Sequence, residues 1–553
     1  MPPSTALSPI SQLRQAFSPL TLAGCVFALL LAVPVLVVAG SLLVGGTGET
    51  WAHLADTVLA EFILNTLIMV LGVGLGVALL GVACAWLTTM TEFPGRRFFE
   101  WALVLPMAMP AYVLAYVYTD FLQFVGPLQT GLREFFGWSR ADYWFPDVRS
   151  VGGACVMFSL VLYPYVYMLA RAAFLERAGS LTEAGRAAGL DPWACFWRIS
   201  LPLARPAIIA GVSLALMETL ADFGTVSYFA VQTFTTGIFR AWFSLGDRLA
   251  AAQLAAALLG CVALILLLEK ASRGRARHSA GPRARPGKRA VLRGWAALGA
   301  IAACTGPLLA GFGLPAGLLL RMAFKDGDSQ LGSRYLELVH NSVLLAAVTA
   351  LCAVLLAVLL GYAARLARSR IPAVLNRLVG LGYALPGSVI AVGVLIPMTR
   401  LDQWLASAIQ QVTGHSPGLL LTGGIAALVY AYLVRYLTVA LGTVESGLAR
   451  ITPSMDEAAR SLGQGRSATL RRVHWPLLRG SLLTAGLLVF VDVMKELPAT
   501  LVMRPFNFDT LATQAYTLAS DERLSEAATA SLAIVLAGLL PVILLSRRIS
   551  RAR

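Results

Sequence analysis

Four carboxylates stand inside strongly apolar stretches of the sequence, in two pairs at helical spacing. Glu218 and Asp222 form the first pair, and Asp492 and Glu496 form the second. Residues at i and i+4 share a face of a helix, so each pair is predicted to lie on one face of its span. Ionisable side chains are costly in lipid, and carboxylate oxygens suit hard cations. The four residues are therefore candidates for lining a translocation path.

A structural role for these acids is an equally open interpretation. Lys495 adjoins the second pair, and Arg435 lies in the preceding span, so either base could neutralise an acid. Buried charges are usually paired, whatever their function. Asp222 and Glu496 also fall near the outer ends of their spans, where they could contact a partner outside the membrane.

The composition predicts that a membrane surrounds these residues. The chain of 553 residues is 58% hydrophobic and 13% charged, whereas soluble domains carry about 25% charged residues. Many windows of at least about 18 residues are apolar enough to cross a bilayer, and the alternation expected of a β-barrel is absent. We predict an all-α polytopic membrane protein with about 12 transmembrane helices, the fifth at 206–230 and the eleventh at 479–503.

The two halves of the chain are internal repeats. Asn65-Thr66 in the second span matches Asn341-Ser342 in the eighth, and MPAYVLAYV in the first half matches LPGSVIAVGV in the second. Because each half has an even number of spans, the two six-helix repeats run in the same direction. Parallel repeats of this kind place a pathway between the halves.

The repeats and the charge distribution divide the sequence into six segments. These are an N-terminal segment with the first membrane helix (1–60), a first transmembrane unit (61–269), a basic linker (270–293), the seventh membrane helix with an outer loop (294–336), a second transmembrane unit (337–546) and a basic tail (547–553). The linker has nine Lys or Arg and no acid. A nucleic-acid or lipid contact would suit it, but positive charge in loops favours the cytoplasmic side, so we interpret it as a topological linker. Both chain ends are then predicted to be cytoplasmic.

Other residue types give weaker signals. The seven scattered cysteines predict neither a disulfide framework nor a zinc site. The histidines lack metal-ligand spacing, which predicts solvated or capping roles; they are His53, His278, His340, His415 and His474. A group of tyrosines could supply phenolate ligands, but positions near span ends favour an interfacial belt; they are Tyr112, Tyr116, Tyr118, Tyr163, Tyr165 and Tyr167.

A polar, basic segment between apolar stretches occurs once in each half. EAGRAAGLDPWACFWRISLP runs from Glu183 to Pro202, and EAARSLGQGRSATLRRVHWP runs from Glu457 to Pro476. An acid in a first helical turn suits the helix dipole, a glycine permits a bend, and a proline is tolerated at the start of the next span. These residue types suit a helix start, a bend and the start of the next span. An ordinary amphipathic interfacial helix is the alternative.

This pattern resembles the EAA signature of ABC transporter permeases of the binding-protein-dependent, type I importer class. The first copy departs from the usual form at Gly185, and the second departs at Val473 and Trp475. The resemblance implies a short helix, a turn and a second helix in a cytoplasmic segment that docks into a groove on an ATPase subunit. The docking residues that it implies are Glu183, Ala184, Gly189, Ile199, Pro202, Glu457, Ala458, Ala459, Gly463, Val473 and Pro476.

The chain has no phosphate-binding loop of the GxxxxGK[ST] type. Its only Gly-Lys pair, Gly287-Lys288, is followed by arginine, so the phosphate cradle needed for ATP hydrolysis is missing. The resemblance implies that this chain is not an enzyme and binds no cofactor. A separate ABC ATPase, in two copies, would bind ATP and Mg.

The fused two-unit layout narrows the resemblance. Residues 494–528 and 217–242 resemble ferric iron permeases that work with a periplasmic iron-binding protein. That group implies a multi-pass inner-membrane protein that imports ferric iron by alternating access, with the ATPase, the binding protein and the lipid bilayer as partners and no nucleic acid. Permeases for thiamine or phosphonates share the layout, and an ion-driven secondary transporter is an alternative of another class.

Overall fold

The structure is a computed structural model that describes residues 19–273, 289–325, 332–366 and 371–551. Within these ranges, eleven helices are long and apolar enough to cross a membrane. A twelfth span is possible if two helices bent by 91° at Met109-Pro110 count as one. The prediction of an all-α membrane protein with about 12 spans is confirmed. Residues 274–288 of the basic linker lie outside the described residues.

The helices follow one another with short breaks. In the first half they are α1 (Pro19–Gly40), α2 (Gly48–Thr57), α3 (Leu59–Met90), α4 (Arg96–Ala102), α5 (Ala111–Leu122), α6 (Pro127–Phe136), α7 (Val151–Ala187), α8 (Pro192–Cys195), α9 (Leu201–Ala221), α10 (Gly224–Tyr228), α11 (Phe234–Phe239) and α12 (Arg248–Arg273). In the second half they are α13 (Trp295–Leu308), α14 (Leu314–Lys325), α15 (Ser333–Leu366), α16 (Ile371–Val379), α17 (Gly387–Thr413), α18 (Ala426–Leu448), α19 (Pro453–Ser461), α20 (Arg466–Thr469), α21 (Trp475–Met494), α22 (Pro498–Met503), α23 (Leu511–Ser520) and α24 (Leu524–Arg551).

Shorter elements join some of these helices. The 3₁₀ turns are Ser41–Leu43, Leu105–Ala108 and Gly380–Ala384, and the π turns are Phe196–Ser200, Arg240–Ser244, Leu309–Gly313 and Leu470–His474. Two strands, β1 (Thr91–Glu92) and β2 (Ala290–Val291), pair in parallel and fasten the end of the linker to the loop after α3.

The helices form two compact units, and each unit combines parts of both sequence halves. The second-half unit comprises Met1–Val44 and Val339–Thr510, and the first-half unit comprises Gly45–Leu338 and Leu511–Arg553. Helix α1 therefore belongs with the helices of the second half, whereas α13, α14, α23 and α24 belong with those of the first. The six sequential segments stay a prediction, because these units group helices by contact rather than by order in the chain.

Small residues bring three long helices of the first-half unit close together. A Cβ atom on Gly81 of α3 would lie 2.6 Å from the Cβ of Val166 on α7. A Cβ atom on Gly211 of α9 would lie 2.7 Å from the Cα of the same valine. Close approach at small residues is typical of membrane helices. The first copy of the duplicated segment joins the end of α7 to the start of α9, so this contact holds together the two helices that it connects.

A proline explains how α1 is held in the second-half unit. Pro34 lacks an N–H, so the carbonyl of Leu30 one turn earlier has no partner within the helix. The hydroxyl of Tyr430 on α18 donates to that carbonyl. On α17, Gly393 lies so close to α1 that a Cβ atom would be 2.5 Å from the Pro34 oxygen. The freed backbone group is thus satisfied by a neighbouring helix, as the bilayer requires.

Equivalent contacts confirm the internal repeat. The side-chain amide of Asn65 on α3 donates to the Gln232 carbonyl at 3.0 Å. The side-chain amide of Asn341 on α15 donates to the Asp509 carbonyl at 3.1 Å. In each unit, the asparagine of a long helix therefore secures the loop that follows a broken span.

The fifth and eleventh spans end earlier than predicted. The long helices end at Ala221 and Met494, and the short helices α10 and α22 follow after a break. The predicted spans of 206–230 and 479–503 are wrong at these ends. In the eleventh span, Pro498 begins α22, and it has no N–H to donate to the Met494 carbonyl in a continuous helix, which favours a break here.

The interfacial belt predicted for the tyrosines is wrong for most of them. Tyr163 and Tyr167 on α7 are 0% exposed, and Tyr116 on α5 is 1% exposed. The Tyr167 hydroxyl donates to the Glu100 carbonyl at 2.9 Å. These rings fill the interior of the first-half unit, because neighbouring helices cover them.

Candidate functional site

Both copies of the duplicated segment fold as a helix, a bend and a second helix, as predicted. The first copy runs from the end of α7 through α8 and a π turn into α9. The second runs from α19 through α20 and a π turn into α21. Pro202 and Pro476 each occupy the second position of the following span, where a missing N–H is harmless, as expected.

The glycine in each copy is required by backbone conformation. Gly189 has a φ of +87° and Gly463 a φ of +73°. The next residues close the helix end, since Leu190 N–H donates to the Gly185 carbonyl at 3.0 Å and Gln464 N–H donates to the Ala459 carbonyl at 3.0 Å. This is a Schellman cap, which favours glycine at the left-handed position. In the described part of the chain, no atom lies within 4 Å of where a Cβ would be at either glycine, so the restriction is conformational.

The departures of the two copies from the usual signature compensate each other. In the first copy, a Cβ atom on Gly185 would lie 2.5 Å from the Cδ1 of Ile199. The equivalent positions of the second copy hold Ala459, which is 5% exposed, and Val473. A glycine therefore goes with the longer side chain, and an alanine goes with the shorter one.

The acidic ends of the two copies are described to different extents. Glu457 and Ala458 are exposed on α19. Glu183 and Ala184 belong to α7, and their side chains lie outside what the structure describes. Docking by any of these residues stays a prediction.

The two copies are joined differently to the spans before them. Helix α7 runs without interruption from its span to Ala187. Helix α18 instead ends at Leu448, and α19 begins at Pro453. Thr452 before this proline is extended, with φ −72° and ψ 152°, because proline disfavours a helical residue before it. The second copy is therefore separated from its span by a break.

An arginine from α15 bridges this break. Arg365 donates to the carbonyls of Leu448 and Ile451 at 2.8 and 2.9 Å, and so satisfies backbone groups at the end of α18. The same guanidinium donates to an Asp456 carboxylate oxygen on α19 at 2.8 Å. One side chain thus links the end of a span to the start of the second copy.

A histidine completes the connection. The Nε2 of His474 lies 2.6 Å from the other oxygen of Asp456, and its Nδ1 lies 2.6 Å from the Tyr362 hydroxyl on α15. Burial of Asp456 would by itself raise its pKa, but hydrogen bonds from Arg365 and His474 outweigh it and hold the pKa below its usual value. The solvated or capping role predicted for His474 is wrong, because its side chain is buried. We call Tyr362, Arg365, Asp456 and His474 the polar clasp.

The intramembrane acids occupy less regular positions than predicted. Asp222 lies beyond the end of α9, and Glu496 lies beyond the end of α21. The prediction that each pair shares one helix face is therefore wrong. Instead, Asp222 accepts from the Thr225 N–H at 2.8 Å, and Glu496 accepts from the Ala499 N–H at 2.9 Å. Both carboxylates cap the short helix that follows a break.

The bases that the sequence offered as partners do pair with the second pair of acids. Lys495 lies 2.9 Å from Asp492. Arg435 lies 3.7 Å from Glu496, whose side chain is 1% exposed. Glu218 and Asp492 are part-buried near the ends of their helices. Lining of a path by the four acids stays a prediction.

No group of three His, Cys, Asp or Glu side chains that could hold a metal ion occurs within either unit among the described residues.

Known proteins match most of this chain. The family model for the binding-protein-dependent transport system inner membrane component matches residues 77–277 and 353–552, and each match contains one copy of the duplicated segment. The Fe(3+)-transport system permease protein FbpB 2 of Haemophilus influenzae is 28% identical over 502 residues, which cover 88% of this chain and 90% of that protein.

Other relatives match shorter stretches. The molybdenum transport system permease protein ModB of Escherichia coli K12 is 30% identical over 27% of this chain and 62% of that protein. The probable sulfate transport system permease protein cysT of Chlorokybus atmophyticus is 29% identical over 32% of this chain and 59% of that protein. With the family model matched twice in a chain of paired six-helix repeats, this protein belongs to the family of binding-protein-dependent transport system inner membrane components.

Proposed function

We propose that this chain is the permease subunit of an ATP-driven importer that moves ferric iron across the inner membrane. The observation that carries the proposal is the similarity to an Fe(3+)-transport permease, which extends over nearly the whole of both chains. The sulfate and molybdenum permeases match about a third of this chain or less.

In this proposal, a periplasmic binding protein delivers the ion, and an ABC ATPase in two copies drives the transport. Each ATPase subunit engages one copy of the duplicated segment, and ATP and Mg are bound there rather than by this chain. The basic linker and tail are cytoplasmic, which places both chain ends on the same side as the ATPase. Alternating access follows if the ATP-bound and ATP-free states hold the two segments differently.

All four acids stay candidates for lining the path, and Asp492 lies 2.9 Å from Lys495. Asp222 and Glu496 already use their carboxylates in backbone caps, and Glu496 is also close to Arg435. Ferric ion is a hard cation that suits carboxylate oxygens.

The test is uptake by proteoliposomes that contain this chain, its ATPase and a binding protein. We expect ATP-dependent accumulation of radioactive ferric iron, with no accumulation of sulfate, molybdate, thiamine or phosphonate delivered by their own binding proteins. Accumulation of another substrate would contradict the iron assignment. Transport without any ATPase would indicate a secondary transporter.

A double variant tests docking in the same system. Gly189→Val and Gly463→Val place β-branched residues at left-handed positions, where they are strained. We expect the variant to insert into the membrane but to lose both ATPase co-purification and uptake. Gly480→Ala on α21, where no atom lies within 4 Å of a Cβ, is the matched control. Normal uptake by the double variant would contradict docking through these turns.

A further inference from the structure

We call the two copies of the duplicated segment, 183–202 and 457–476, the first and second docking segments. The break before the second one raises the question of how its motion reaches the preceding span. A continuous helix transmits motion along its length, and α7 is continuous from its span into the first segment. The second segment has no such connection to its preceding span, because Pro453 separates α19 from α18, although its other end runs through α20 and a π turn into α21. If an ATPase moves this segment, another contact has to carry the motion to α18 and its neighbours.

The polar clasp is the contact that crosses the break. Arg365 holds both sides of it, through the Leu448 and Ile451 carbonyls and the Asp456 carboxylate. His474 joins the same carboxylate to Tyr362 and lies directly before α21. The clasp therefore connects the second docking segment to α15 and to the end of α18.

The first docking segment has different chemistry at the equivalent place. Ser200 stands where the second copy has His474, and its fully buried hydroxyl has no hydrogen-bond partner in the described part of the chain. Aromatic rings pack nearby instead, with Trp86 at 4.8 Å from Phe196 and at 5.6 Å from Phe174, between ring centroids. Apolar packing suffices there, since the helix itself is unbroken.

We propose that the polar clasp replaces helix continuity between the second docking segment and its preceding span, and transmits the movement of the segment to α15 and the end of α18. This inference rests on the proposed docking function. His474 and Asp456 are positioning residues in it, because they act on the spans and touch neither ATP nor the transported ion. The two docking segments are consequently coupled to the membrane helices by unlike means.

The Asp456 carboxylate of the clasp is charged at neutral pH. The pKa of Asp456 is depressed in the folded chain, so its contribution is present above the unfolded pKa and is lost as the pH falls through the folded value. The groups that face His474 are Asp456 from α19 and Tyr362 from α15, with Arg365 on the far side of the carboxylate. The Tyr362 hydroxyl can donate to Nδ1 or accept from it, so the clasp survives either charge state of the imidazole.

The test compares iron moved per ATP hydrolysed in the complete reconstituted importer. His474→Ser gives the second segment the residue of the first, and Ser200→Ala is the matched control. We expect His474→Ser to lower the ratio by about twofold to thirtyfold, the range that coupling residues reach, while the ATPase still co-purifies. Ser200→Ala should keep the wild-type ratio.

Two further variants separate coupling from simple loss of structure. His474→Gln keeps an N–H donor near the Nε2 position and should retain more coupling than His474→Ser. Pro453→Ala allows α18 to continue into α19, so adding it to His474→Ser should restore part of the ratio. A wild-type ratio in His474→Ser, or an equal loss in Ser200→Ala, would overturn the clasp. Failure of the wild-type chain to bind any ATPase would overturn the proposed function instead.

Discussion

At the scale of single residues, the two copies of the duplicated segment differ at two facing positions but keep a similar combined side-chain volume there. Gly185 faces Ile199 in the first copy, and the second copy has Ala459 and Val473 at the same positions. Each copy considered alone departs from the usual signature. The pairing accounts for both departures. Ala459 has one carbon more than Gly185, and Val473 has one carbon fewer than Ile199.

A double-mutant cycle tests this compensation. Ile199→Val alone leaves a small gap and should cost about 1 kcal/mol. Gly185→Ala alone forces a Cβ toward Ile199 Cδ1, which partly cancels the gain in helix propensity. We expect the double variant to unfold at a higher temperature in detergent than the two single effects would sum to, with a favourable coupling of about 1 kcal/mol. Strictly additive effects of the two substitutions on stability would contradict steric coupling between Gly185 and Ile199.

Sequence reasoning reached some of these residues and missed others for a physical reason. The left-handed glycines were predictable, because the bend and its residue lie in one short segment. The role of His474 was not, since its partner Tyr362 lies 112 positions away and becomes adjacent only on folding. Pro453 was the one local signal of the break, and its effect on the preceding residue could have been used.

At the scale of elements, the breaks after α9 and α21 are the features that the hydropathy pattern concealed. Apolar residues continue past Ala221 and Met494, so the pattern extends each span by several residues. The chain instead turns and starts a short helix, whose first N–H groups need acceptors. Asp222 and Glu496 supply them, which accounts for acids in an apolar stretch without a bound ion.

The cap and the ion pair of Glu496 predict a stability effect. Glu496→Gln removes the charge 3.7 Å from Arg435 in a buried setting, so we expect a loss of about 3 kcal/mol. It should appear as a lower unfolding temperature in detergent. Asp492→Asn is the control, because Lys495 is partly exposed and such pairs contribute at most about 1 kcal/mol. A Glu496→Gln variant with normal stability but no uptake would favour path lining instead.

At the scale of the whole molecule, the sequence predicted the repeats but not how they share their helices. Periodicity locates a span and says nothing about which neighbours it packs against, so the six predicted segments follow chain order. In the structure, α1 belongs with second-half helices and α13 with first-half helices. This grouping of helices depends on contacts between residues that no local pattern relates. One is the hydrogen bond from the Tyr430 hydroxyl to the Leu30 carbonyl.

A native cysteine pair offers a direct test of whether α13 packs against α3, as the grouping of helices requires. Cys84 on α3 and Cys304 on α13 are both buried, and the Cys84 thiol lies 3.8 Å from the carbonyl oxygen of Ala303, the residue before Cys304. In a chain that keeps only these two cysteines and has a protease site in the basic linker, a membrane-permeant oxidant should join them. The two halves should then migrate as one band after cleavage and separate on reduction. Cys304→Ser should separate without reductant. Separation of the oxidised two-cysteine chain would show that α13 does not pack against α3, because a disulfide forms only when the two Cβ atoms are about 4 Å apart.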